Sequence, residues 1–529
     1  MTNTQLKILS KLKKETYLKR IVIEKSLPLP KRTLVLNLKQ LIDKNRVESI
    51  GQLRGTQYKL SNKYYEKFEH ILYIYQNQTL IGYLGFDFDK YYFAYDTEYI
   101  LNTKHDVRFE MPLSLNTYIQ ESCFVDFEEC LPEGIDKKIL IEKTQNAAEF
   151  FLLEHNDYSS NDLIISPKEL SFNKTIKKYS YQQNKNKILG KNKFPNVLPL
   201  NIELDDKTLF PEQYLDKEDK LKQIRTMSLS GYQHKLQVIL KDNTLRVPNN
   251  DENVLYFIKP YSKEKADPNS DYYFPHIAIN EHLHLTFAKN ELGFDVPYSA
   301  IFKSKEDSEY HFLIKYFDRI NQYKFQRKEF ATYMGLNSSN KYKTSSEKLF
   351  EISSKVLLRE SDRLRMLEYY FYSFIIRHED MHTKNISCIY DDNKTFIAPL
   401  YDIATTGFYN GINNYESHLT INGKQTNIRF KDFMILVKKA NVNKNYFIEK
   451  ANFIIQTYIN TMPKYIKKIS KLENTDFYKK EKPNAQNKKI KIKEKTTLEG
   501  VMLNAYNNRI ETLKKNGWLN IFKYSDMSL

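Results

Sequence analysis

Residues 366–387 read MLEYYFYSFIIRHEDMHTKNIS, and they are the most informative segment for the fold class. Its first half is apolar enough to predict a buried helix, and its second half is a polar loop in which Asp380 and Asn385 stand five positions apart. A phosphoryl-transfer loop needs a carboxylate beside the attacking hydroxyl and, about one loop turn later, an amide oxygen for magnesium, which is the D-x-x-x-x-N pattern. The spacing therefore predicts Asp380 as the catalytic residue and Asn385 as a magnesium ligand.

The segments on either side of this loop supply the remaining parts of such a site. Downstream, FIAPLYDIA places Asp402 after an apolar strand, 17 positions beyond Asn385, where a second oxygen ligand for magnesium is needed. Upstream, LYFIKP is a short apolar run that ends in Lys259, the residue type that holds nucleotide phosphates from a strand. The helical pattern NEHLHLTFAKNELG then predicts that Glu281 pairs with Lys259.

Taken singly, each of these residues has an ordinary structural explanation. A D-x-x-x-x-N spacing occurs by chance, and buried aspartates often cap turns or accept backbone hydrogen bonds. The order along the chain is the stronger signal, because Lys259, then Asp380 with Asn385, then Asp402 follow one another as the corresponding parts of a protein kinase do.

Several further segments make the chain resemble the HipA family of serine/threonine-protein kinase toxins. The segment MSLSGYQHKLQVIL at 227–240 is similar to the phosphate-binding loop of that family, usually S-x-x-G-x-Q-x-K. NEHL, IKYFDR, DMHTKNIS and APLYDI resemble later blocks of the family in the right order, and LPEG at 131–134 resembles part of its N-terminal subdomain. The likeness covers about residues 73–472. The family includes a subgroup with a fused N-terminal winged helix.

The resemblance and the patterns together imply an α+β multidomain fold. It has an N-terminal winged helix, a small β-rich HipA-like N-terminal subdomain, and a two-lobed kinase-like body whose C-terminal lobe is mostly helical. The predicted domains are 1–64 (winged helix-turn-helix), 65–178 (β-rich subdomain), 179–220 (connector), 221–472 (kinase domain, hinge near 315–318) and 473–529 (lysine-rich segment and C-terminal helix).

The resemblance also implies the residues of a nucleotide site, with ATP and Mg²⁺ as cofactors. Asp380 is the expected catalytic residue, and Asn385 and Asp402 are the expected magnesium ligands. Family members autophosphorylate on a serine of the glycine loop, so Ser228 and Ser230 are the candidates here. The expected ATP contacts are Ser230, Gly231, Tyr232, Gln233, His234, Lys235, Lys259, Lys315, Tyr316, Phe317, His382, Lys384, Asn385, Tyr401 and Asp402.

Two of these positions depart from the family pattern. His234 stands where the family often has an acidic residue, and Lys315 stands where a hinge glutamate is common. A hinge contact made through the backbone tolerates Lys315, whereas His234 changes the charge beside the phosphate-binding loop.

The first sixty residues predict a domain that reads DNA. Apolar residues recur at helical spacing in two short runs within 6–22, and the segment 26–45 combines prolines where a helix can start with one apolar face. The segment RVESIGQLRGTQYKLS at 46–61 then predicts a two-stranded wing. An ordinary solvated helix beside a hairpin fits the same pattern. The expected contacts with phosphates or base edges are Lys31, Arg32, Thr33, Asn37, Lys39 and Arg54.

Composition restricts the classes of protein and of binding site that the chain can contain. A chain of 529 residues with 41% hydrophobic residues is too apolar for a disordered protein, and its net charge of +17 favours a polyanionic partner, although a lysine-rich codon bias explains that charge equally well. The three cysteines lack CxxC spacing and predict neither a disulfide framework nor a zinc site. No run of about twenty apolar residues and no signal sequence stands out, so we expect a cytoplasmic protein with no membrane partner.

The sequence therefore predicts an ATP- and magnesium-dependent protein serine/threonine kinase of the HipA toxin type that autophosphorylates in its glycine loop. The resemblance implies inhibition of translation through an aminoacyl-tRNA synthetase or a related protein substrate. It also implies autoregulation by binding double-stranded DNA, as a homodimer. Two other functions stay open, a non-catalytic nucleotide-sensing transcriptional regulator and a small-molecule or lipid kinase, because the same loop order serves other acceptors.

Overall fold

The computed structural model folds into two compact units of mixed α+β structure, in agreement with the predicted fold class. The first unit comprises Met1–Leu131 and Thr144–Lys177, and the second comprises Pro132–Lys143 and Lys178–Leu529. Among the residues described, no helix combines the length and apolarity needed to cross a lipid bilayer. The structure describes residues 1–103, 111–155, 162–172, 175–214, 233–249, 252–271, 273–391, 394–409, 415–480 and 492–520.

The first unit begins with three helices and a small antiparallel sheet of order β1-β3-β2. Leu34, Leu38 and Leu41 are buried, which confirms the predicted apolar face of the third helix. In the second helix Ile23 is buried, whereas Ile21 and Val22 of the apolar run are 54% and 47% exposed. The elements are α1 (Asn3–Leu9), β1 (Leu18–Lys19), α2 (Arg20–Ser26), α3 (Lys31–Asp43), β2 (Val47–Ile50) and β3 (Gln57–Leu60).

A five-stranded antiparallel sheet of order β7-β6-β5-β4-β8 completes the first unit. Its strands are β4 (His70–Gln76), β5 (Thr79–Phe86), β6 (Tyr91–Tyr95), β7 (Tyr118–Gln120) and β8 (Leu163–Ser166). The helices along this stretch are α4 (Lys63–Glu66), α5 (Thr97–Asn102), α6 (Val125–Glu128), α7 (Gly134–Thr144) and α8 (Glu149–Glu154), of which α7 belongs to the second unit up to Lys143.

Arg46 ties the first sixty residues to this sheet. Its side chain is fully buried, its guanidinium donates to the backbone carbonyls of Leu115 (3.0 Å) and Tyr95 (2.6 Å), and it stacks at 3.6 Å on the ring of Tyr64. A buried guanidinium is stable only when its donors are used in this way. The predicted domain boundary between residues 64 and 65 therefore lies inside one compact unit.

The second unit contains a six-stranded sheet of order β13-β14-β12-β10-β11-β9, in which only the β11–β9 pair is parallel. Ile258 of β12 and Leu313 of β14 are fully buried partners at its centre. The strands are β9 (Asn201–Glu203), β10 (Leu236–Lys241), β11 (Thr244–Arg246), β12 (Tyr256–Lys259), β13 (Ser299–Phe302) and β14 (His311–Lys315). Helices α9 (Tyr181–Leu189), α10 (Asp206–Leu209), α11 (Lys263–Ala266) and α12 (Ile277–Glu291) accompany them.

The remainder of the second unit is mostly helical. The apolar run at 366–376 forms most of a buried helix, as predicted, and the C-terminal helix packs on the same core, where the fully buried Trp518 donates its indole N–H to the carbonyl of Ile428 at 2.9 Å. The helices are α13 (Phe330–Tyr333), α14 (Ser346–Val356), α15 (Glu360–Ile375), α16 (Phe430–Lys439), α17 (Lys444–Lys467) and α18 (Leu498–Lys515). The strands are β15 (Arg319–Ile320), β16 (Tyr323–Lys324), β17 (Arg327–Glu329), β18 (Ser387–Asp391), β19 (Lys394–Ile397), β20 (Asp476–Lys480) and β21 (Ile492–Thr497).

Candidate active site

The ammonium group of Lys259, the last residue of β12, lies at the centre of the candidate site. Its Nζ atom is 2.8 Å from Oε1 and 2.9 Å from Oε2 of Glu281, and 2.6 Å from Oδ1 of Asp402. The side chains of Lys259 and Glu281 are each only 6% exposed. The predicted Lys259–Glu281 pair is therefore present, and Asp402 joins it as a third member.

Each member of this cluster is held by a different element. Lys259 ends a strand flanked by β10 and β14, and Glu281 lies in the second turn of α12, whose Ile279 and Leu283 are fully buried. Asp402 follows β19 in a loop and has φ of +51°, a left-handed conformation that residues other than glycine adopt rarely. Backbone strain of this kind persists where the surrounding contacts dictate it, and it is common at functional sites.

The protonation state of each residue in the cluster depends on two opposing effects. Burial disfavours the charged form, and a neighbouring opposite charge favours it. Burial by itself raises the pKa of Asp402, but the ammonium groups of Lys259 and Lys235 outweigh it and hold that pKa below its ordinary value. Burial lowers the pKa of Lys259, and the carboxylates of Asp402 and Glu281 reverse this and raise it. Burial raises the pKa of Glu281 to about 7. At neutral pH, Lys259 and Asp402 are therefore charged, while Glu281 titrates in this range.

The loop after α15 carries Asp380 and Asn385. The amide nitrogen of Asn385 donates to the backbone carbonyl of Asp380 at 2.9 Å, which fixes the two residues relative to one another. The carboxylate of Asp380 is 57% exposed, and its Oδ1 atom lies 3.8 Å from Nε2 of His382. Asp380 lines a cleft together with Lys265 and His418. A carboxylate exposed in a cleft is placed to meet an incoming acceptor.

The pocket beside Lys259 has an aromatic side and a charged side. Phe317 and Tyr401 stack with ring centroids 5.2 Å apart, and Phe257 adds a third ring to the lining. Flat apolar surfaces next to converging charges suit a nucleotide, which has a planar base and a charged phosphate chain. Eight predicted ATP contacts line this pocket: Lys235, Lys259, Tyr316, Phe317, Lys384, Asn385, Tyr401 and Asp402.

The structure places four other predicted ATP contacts elsewhere. His234 uses both ring nitrogens inside the protein, with Nδ1 2.7 Å from Oδ1 of Asp136 and Nε2 2.9 Å from the carbonyl of Thr208. Lys315 donates its ammonium to the carbonyl of Lys187 at 2.8 Å. The other two are Gln233, which donates to the carbonyl of Pro260 at 2.8 Å and lines the Asp380 cleft, and His382, whose Nδ1 accepts from the backbone N–H of Lys384 at 3.2 Å.

The first part of the predicted phosphate-binding loop, residues 227–232, falls outside the described residues. Four predicted site residues lie there: Ser228, Ser230, Gly231 and Tyr232.

Sequence reasoning missed several charged residues of the pocket region. Arg327 and Glu329 of β17 line the pocket, and no local motif distinguishes the sequence QRKEF in which they stand. Glu133 lies 2.6 Å from the ammonium of Lys384 and 3.0 Å from that of Lys341. The sequence did point to Glu133, because this residue belongs to the LPEG segment at 131–134 that resembles the HipA N-terminal subdomain.

The donor set near Asp402 fits a magnesium ion that arrives with a nucleotide. Magnesium is usually held in proteins by one or two carboxylate or amide oxygens together with phosphate oxygens and water. Asn385 and Asp402 provide such oxygens at one pocket. In the part of the chain that the structure describes, no group of three or more histidine, cysteine, aspartate or glutamate side chains is arranged to hold a metal.

The predicted DNA contacts in the first unit differ in their exposure. Lys31, Arg32 and Lys39 of α3 are exposed. Asn37 is only 8% exposed and donates its amide to the carbonyl of Thr33 at 2.8 Å, because it lies three residues after Leu34 on the inner face of the helix. Thr33 itself is half-buried, and Arg54 lies in a short 3₁₀ turn, Leu53–Gly55, with its side chain outside the described residues.

Two models of one protein family match the chain. The model of the HipA N-terminal domain matches residues 72–155, and the model of the HipA-like C-terminal domain matches residues 227–466. Glu133 and Asp136 fall within the first match, and the four central residues of the site, Lys259, Glu281, Asn385 and Asp402, fall within the second.

Two bacterial relatives have names that point to the same class. A Haemophilus influenzae protein named "Putative kinase" is 28% identical over 282 residues, which cover 46% of this chain and 78% of the relative. "Putative kinase Y4mE" of Sinorhizobium fredii is 24% identical over 193 residues, which cover 35% of this chain and 43% of the relative. The chain thus spans less than half the length of the second relative.

A solved structure is similar in fold. It is the complex of HipA, HipB and operator DNA from the Shewanella oneidensis MR-1 toxin–antitoxin system, with a TM-score of 0.57 and 14% sequence identity over 87% of this chain and 100% of that chain. Because the two HipA models match in N- to C-terminal order and together span more than half of the sequence, the chain belongs to the HipA family.

Proposed function

We propose that this protein transfers the γ-phosphoryl group of ATP to a serine or threonine hydroxyl of a protein. The observation that carries the proposal is the convergence of Lys259, Glu281, Asn385 and Asp402 on one pocket, with Asp380 on the same loop as Asn385. These are the parts that phosphoryl transfer requires, and they occur in the order found in kinases. The names of the two relatives support the same activity.

The roles follow from position and charge. Lys259 holds the phosphates from the strand side while Glu281 fixes its ammonium group, and the base packs against the apolar side of the pocket formed by the stacked rings of Phe317 and Tyr401. Asn385 and Asp402 would hold Mg²⁺, which would supply positive charge to offset the negative charge of the phosphates. Asp380 orients the acceptor hydroxyl and takes its proton as the new O–P bond forms and the bond from phosphorus to the β–γ bridging oxygen breaks, which releases ADP.

The test is transfer of labelled phosphate from ATP to the protein itself and to lysate proteins, comparing wild type with Asp380→Ala. Loss of a general base of this kind lowers the rate by about 10²- to 10⁴-fold. Equal labelling of the two proteins removes Asp380 from the mechanism. ATP binding without any transfer identifies a nucleotide-sensing regulator instead, and labelled product in a lipid or metabolite fraction identifies a different acceptor class.

We further propose that the N-terminal helices and hairpin bind double-stranded DNA, with the protein acting as a homodimer that regulates its own promoter. The exposed basic residues Lys31, Arg32 and Lys39 on one helix support this, and the similar solved complex contains operator DNA. Autophosphorylation at Ser228 or Ser230, translation arrest through an aminoacyl-tRNA synthetase and a cytoplasmic location belong to the same proposal and rest on the family resemblance.

A further inference from the structure

The segment Pro132–Lys143 contacts the catalytic-loop side of the candidate nucleotide pocket through Glu133. Oε1 of Glu133 lies 2.6 Å from the ammonium of Lys384 and also accepts a hydrogen bond from the hydroxyl of Ser338, while Oε2 accepts from Lys341 at 3.0 Å. The Glu133 carboxylate thus ties the loop that carries Asp380 and Asn385 to the chain before α14.

The same segment contacts the opposite side of the pocket through Asp136. Oδ1 of Asp136 lies 2.7 Å from Nδ1 of His234, and its Oδ2 atom accepts the backbone N–H of Lys235 at 3.3 Å. His234 and Lys235 directly precede β10, so Asp136 anchors the start of that strand. The carbonyl of Thr208 holds the other ring nitrogen of His234 at 2.9 Å, which fixes the imidazole in place.

The contact of the Glu133 carboxylate with Lys384 and Lys341 is strong because the carboxylate is ionised and buried. Glu133 is 7% exposed, and although burial raises its pKa, the ammonium groups of Lys384 and Lys341 hold that pKa well below its ordinary value. A buried carboxylate between two ammonium groups is costly to remove, because both cations then lose their counter-charge in a medium of low dielectric constant. Glu329 offers Lys384 only a longer contact, at 3.5 Å. Glu133 therefore dominates the placement of the Lys384 ammonium.

Two of the lysines that this segment holds, Lys384 and Lys235, line the candidate nucleotide pocket. One is held through its side-chain ammonium and the other through its backbone, so the segment sets their positions from two sides at once. Its two anchoring residues stand only three positions apart, at the beginning of α7.

We propose, on the basis of the proposed phosphoryl transfer, that Glu133 and Asp136 are positioning residues of the nucleotide site. Glu133 holds Lys384 and Asp136 holds Lys235 where the two lysines meet the phosphates of a nucleoside triphosphate. Neither acidic residue touches the nucleotide itself.

The experiment measures KM for MgATP and kcat for Glu133→Gln and Asp136→Asn beside wild type. Glu142→Gln is the matched control, because Glu142 lies on the same helix and is exposed. We expect KM to rise about tenfold or more in both pocket variants, since a displacement of about 1 Å in a phosphate-binding group has effects of this size or larger. Glu142→Gln keeps the wild-type KM, and Glu133→Asp, which retains the charge on a shorter side chain, recovers part of the loss.

A general loss of folding gives a different result. It lowers the fraction of active protein, and so the apparent kcat, without raising KM. A wild-type KM in Glu133→Gln and Asp136→Asn overturns the proposal, and so does an equal rise in Glu142→Gln.

Failure of the proposed function is recognised separately. If wild type transfers no phosphate, the affinity of the same four proteins for MgATP is measured by calorimetry. Weaker binding in the two pocket variants alone then supports the positioning role without the enzymatic one, and equal binding in all four proteins overturns it.

Discussion

The Nζ atom of Lys259 lies 2.6 Å from Oδ1 of Asp402, although the two residues are 143 positions apart in the chain. One ends a strand of the six-stranded sheet, and the other stands in the loop after β19. The pair joins the strand that is expected to hold phosphates to the carboxylate that is expected to hold magnesium. A direct ion pair between a side chain that is 6% exposed and one that is 34% exposed therefore joins two elements that are distant in sequence.

The first prediction compares the loss of Lys259 with the loss of one of its two carboxylate partners, Glu281. In Lys259→Met, Glu281 and Asp402 lose their shared cation, and we expect kcat/KM for MgATP to fall by about 10²-fold or more, the effect of losing one preorganised charged group. In Glu281→Gln, Asp402 still holds Lys259, so we expect kcat/KM to fall by only about tenfold. This is the size of effect that the loss of a residue supporting a functional group produces. Steady-state kinetics with labelled ATP measure both values. Glu291→Gln on the same helix is the control, and an equal loss in Lys259→Met and Glu281→Gln contradicts the assignment of Glu281 as a support.

The second prediction concerns the pH dependence of nucleotide binding. Burial, followed by the nearby charge of Lys259, lowers the pKa of Lys235 to about 8. Bound phosphates favour the charged form of this lysine and raise its pKa, so nucleotide binding at pH 8.5 takes up a proton and affinity declines as pH rises through about 8. Glu281 is already ionised at pH 8.5 and does not contribute to this uptake.

Calorimetry at pH 8.5 in two buffers of different ionisation enthalpy measures the proton uptake directly. Lys235→Met is expected to bind MgATP more weakly and without proton uptake. An uptake of the same size in Lys235→Met assigns the titration to another group, and no uptake in wild type refutes the prediction.

Several parts of the site could be predicted from sequence, because each role restricts both the residue type and its local setting. Lys259 at the end of an apolar run and Asp402 after another are recognisable without any knowledge of the fold. Asp380 and Asn385 are recognisable from their spacing within one polar loop. Each of these residues is recognised from its immediate neighbours in the sequence alone.

Other residues could not be placed from sequence, because their orientation depends on partners far along the chain. The ring of His234 is bound by Asp136, 98 positions earlier, and the ammonium of Lys315 donates to a carbonyl 128 positions earlier. Arg46 is a similar case, since the carbonyls that its buried guanidinium contacts come from later in the chain, beyond the predicted boundary after residue 64. Local patterns indicate which face of an element is apolar, but not which polar group finds an internal partner.

The third prediction concerns the first unit. Neutralising Lys31 and Arg32 is expected to weaken binding to the upstream promoter DNA and to reduce the slope of log K against log salt by about 0.9 for each phosphate that the protein no longer neutralises. Asn37→Ala is expected to leave the slope unchanged, because the Asn37 side chain is only 8% exposed. Fluorescence anisotropy at several salt concentrations measures the slope. An unchanged slope after neutralisation identifies the α3 surface as a protein-docking face instead.

The fourth prediction concerns Arg509 of α18, a helix outside both family matches. Its Nε donates to the carbonyl of Ile375 at 3.0 Å, a terminal nitrogen donates to the carbonyl of Phe374 at 2.7 Å, and the other pairs with Glu416. The two carbonyls lie in the last turn of α15, where that of Phe374 also accepts the backbone N–H of Arg377 at 3.2 Å, and the chain then runs directly to Asp380. Arg509 therefore supports the base of the catalytic loop from the C-terminal helix.

Arg509→Met leaves Glu416 buried without its cation, and breaking a buried pair of this kind costs about 3 kcal/mol or more in the free energy of unfolding. Fluorescence of Trp518, the single tryptophan of the chain, reports urea unfolding at the same core. Lys514→Met, an exposed change on the same helix, is expected to unfold with the wild-type midpoint. Replacing both partners, as in Arg509→Met with Glu416→Gln, is expected to recover part of the loss, because the unpaired carboxylate is gone. A wild-type midpoint for Arg509→Met alone contradicts this role, since a buried arginine with three used donors cannot then be stabilising the end of α15.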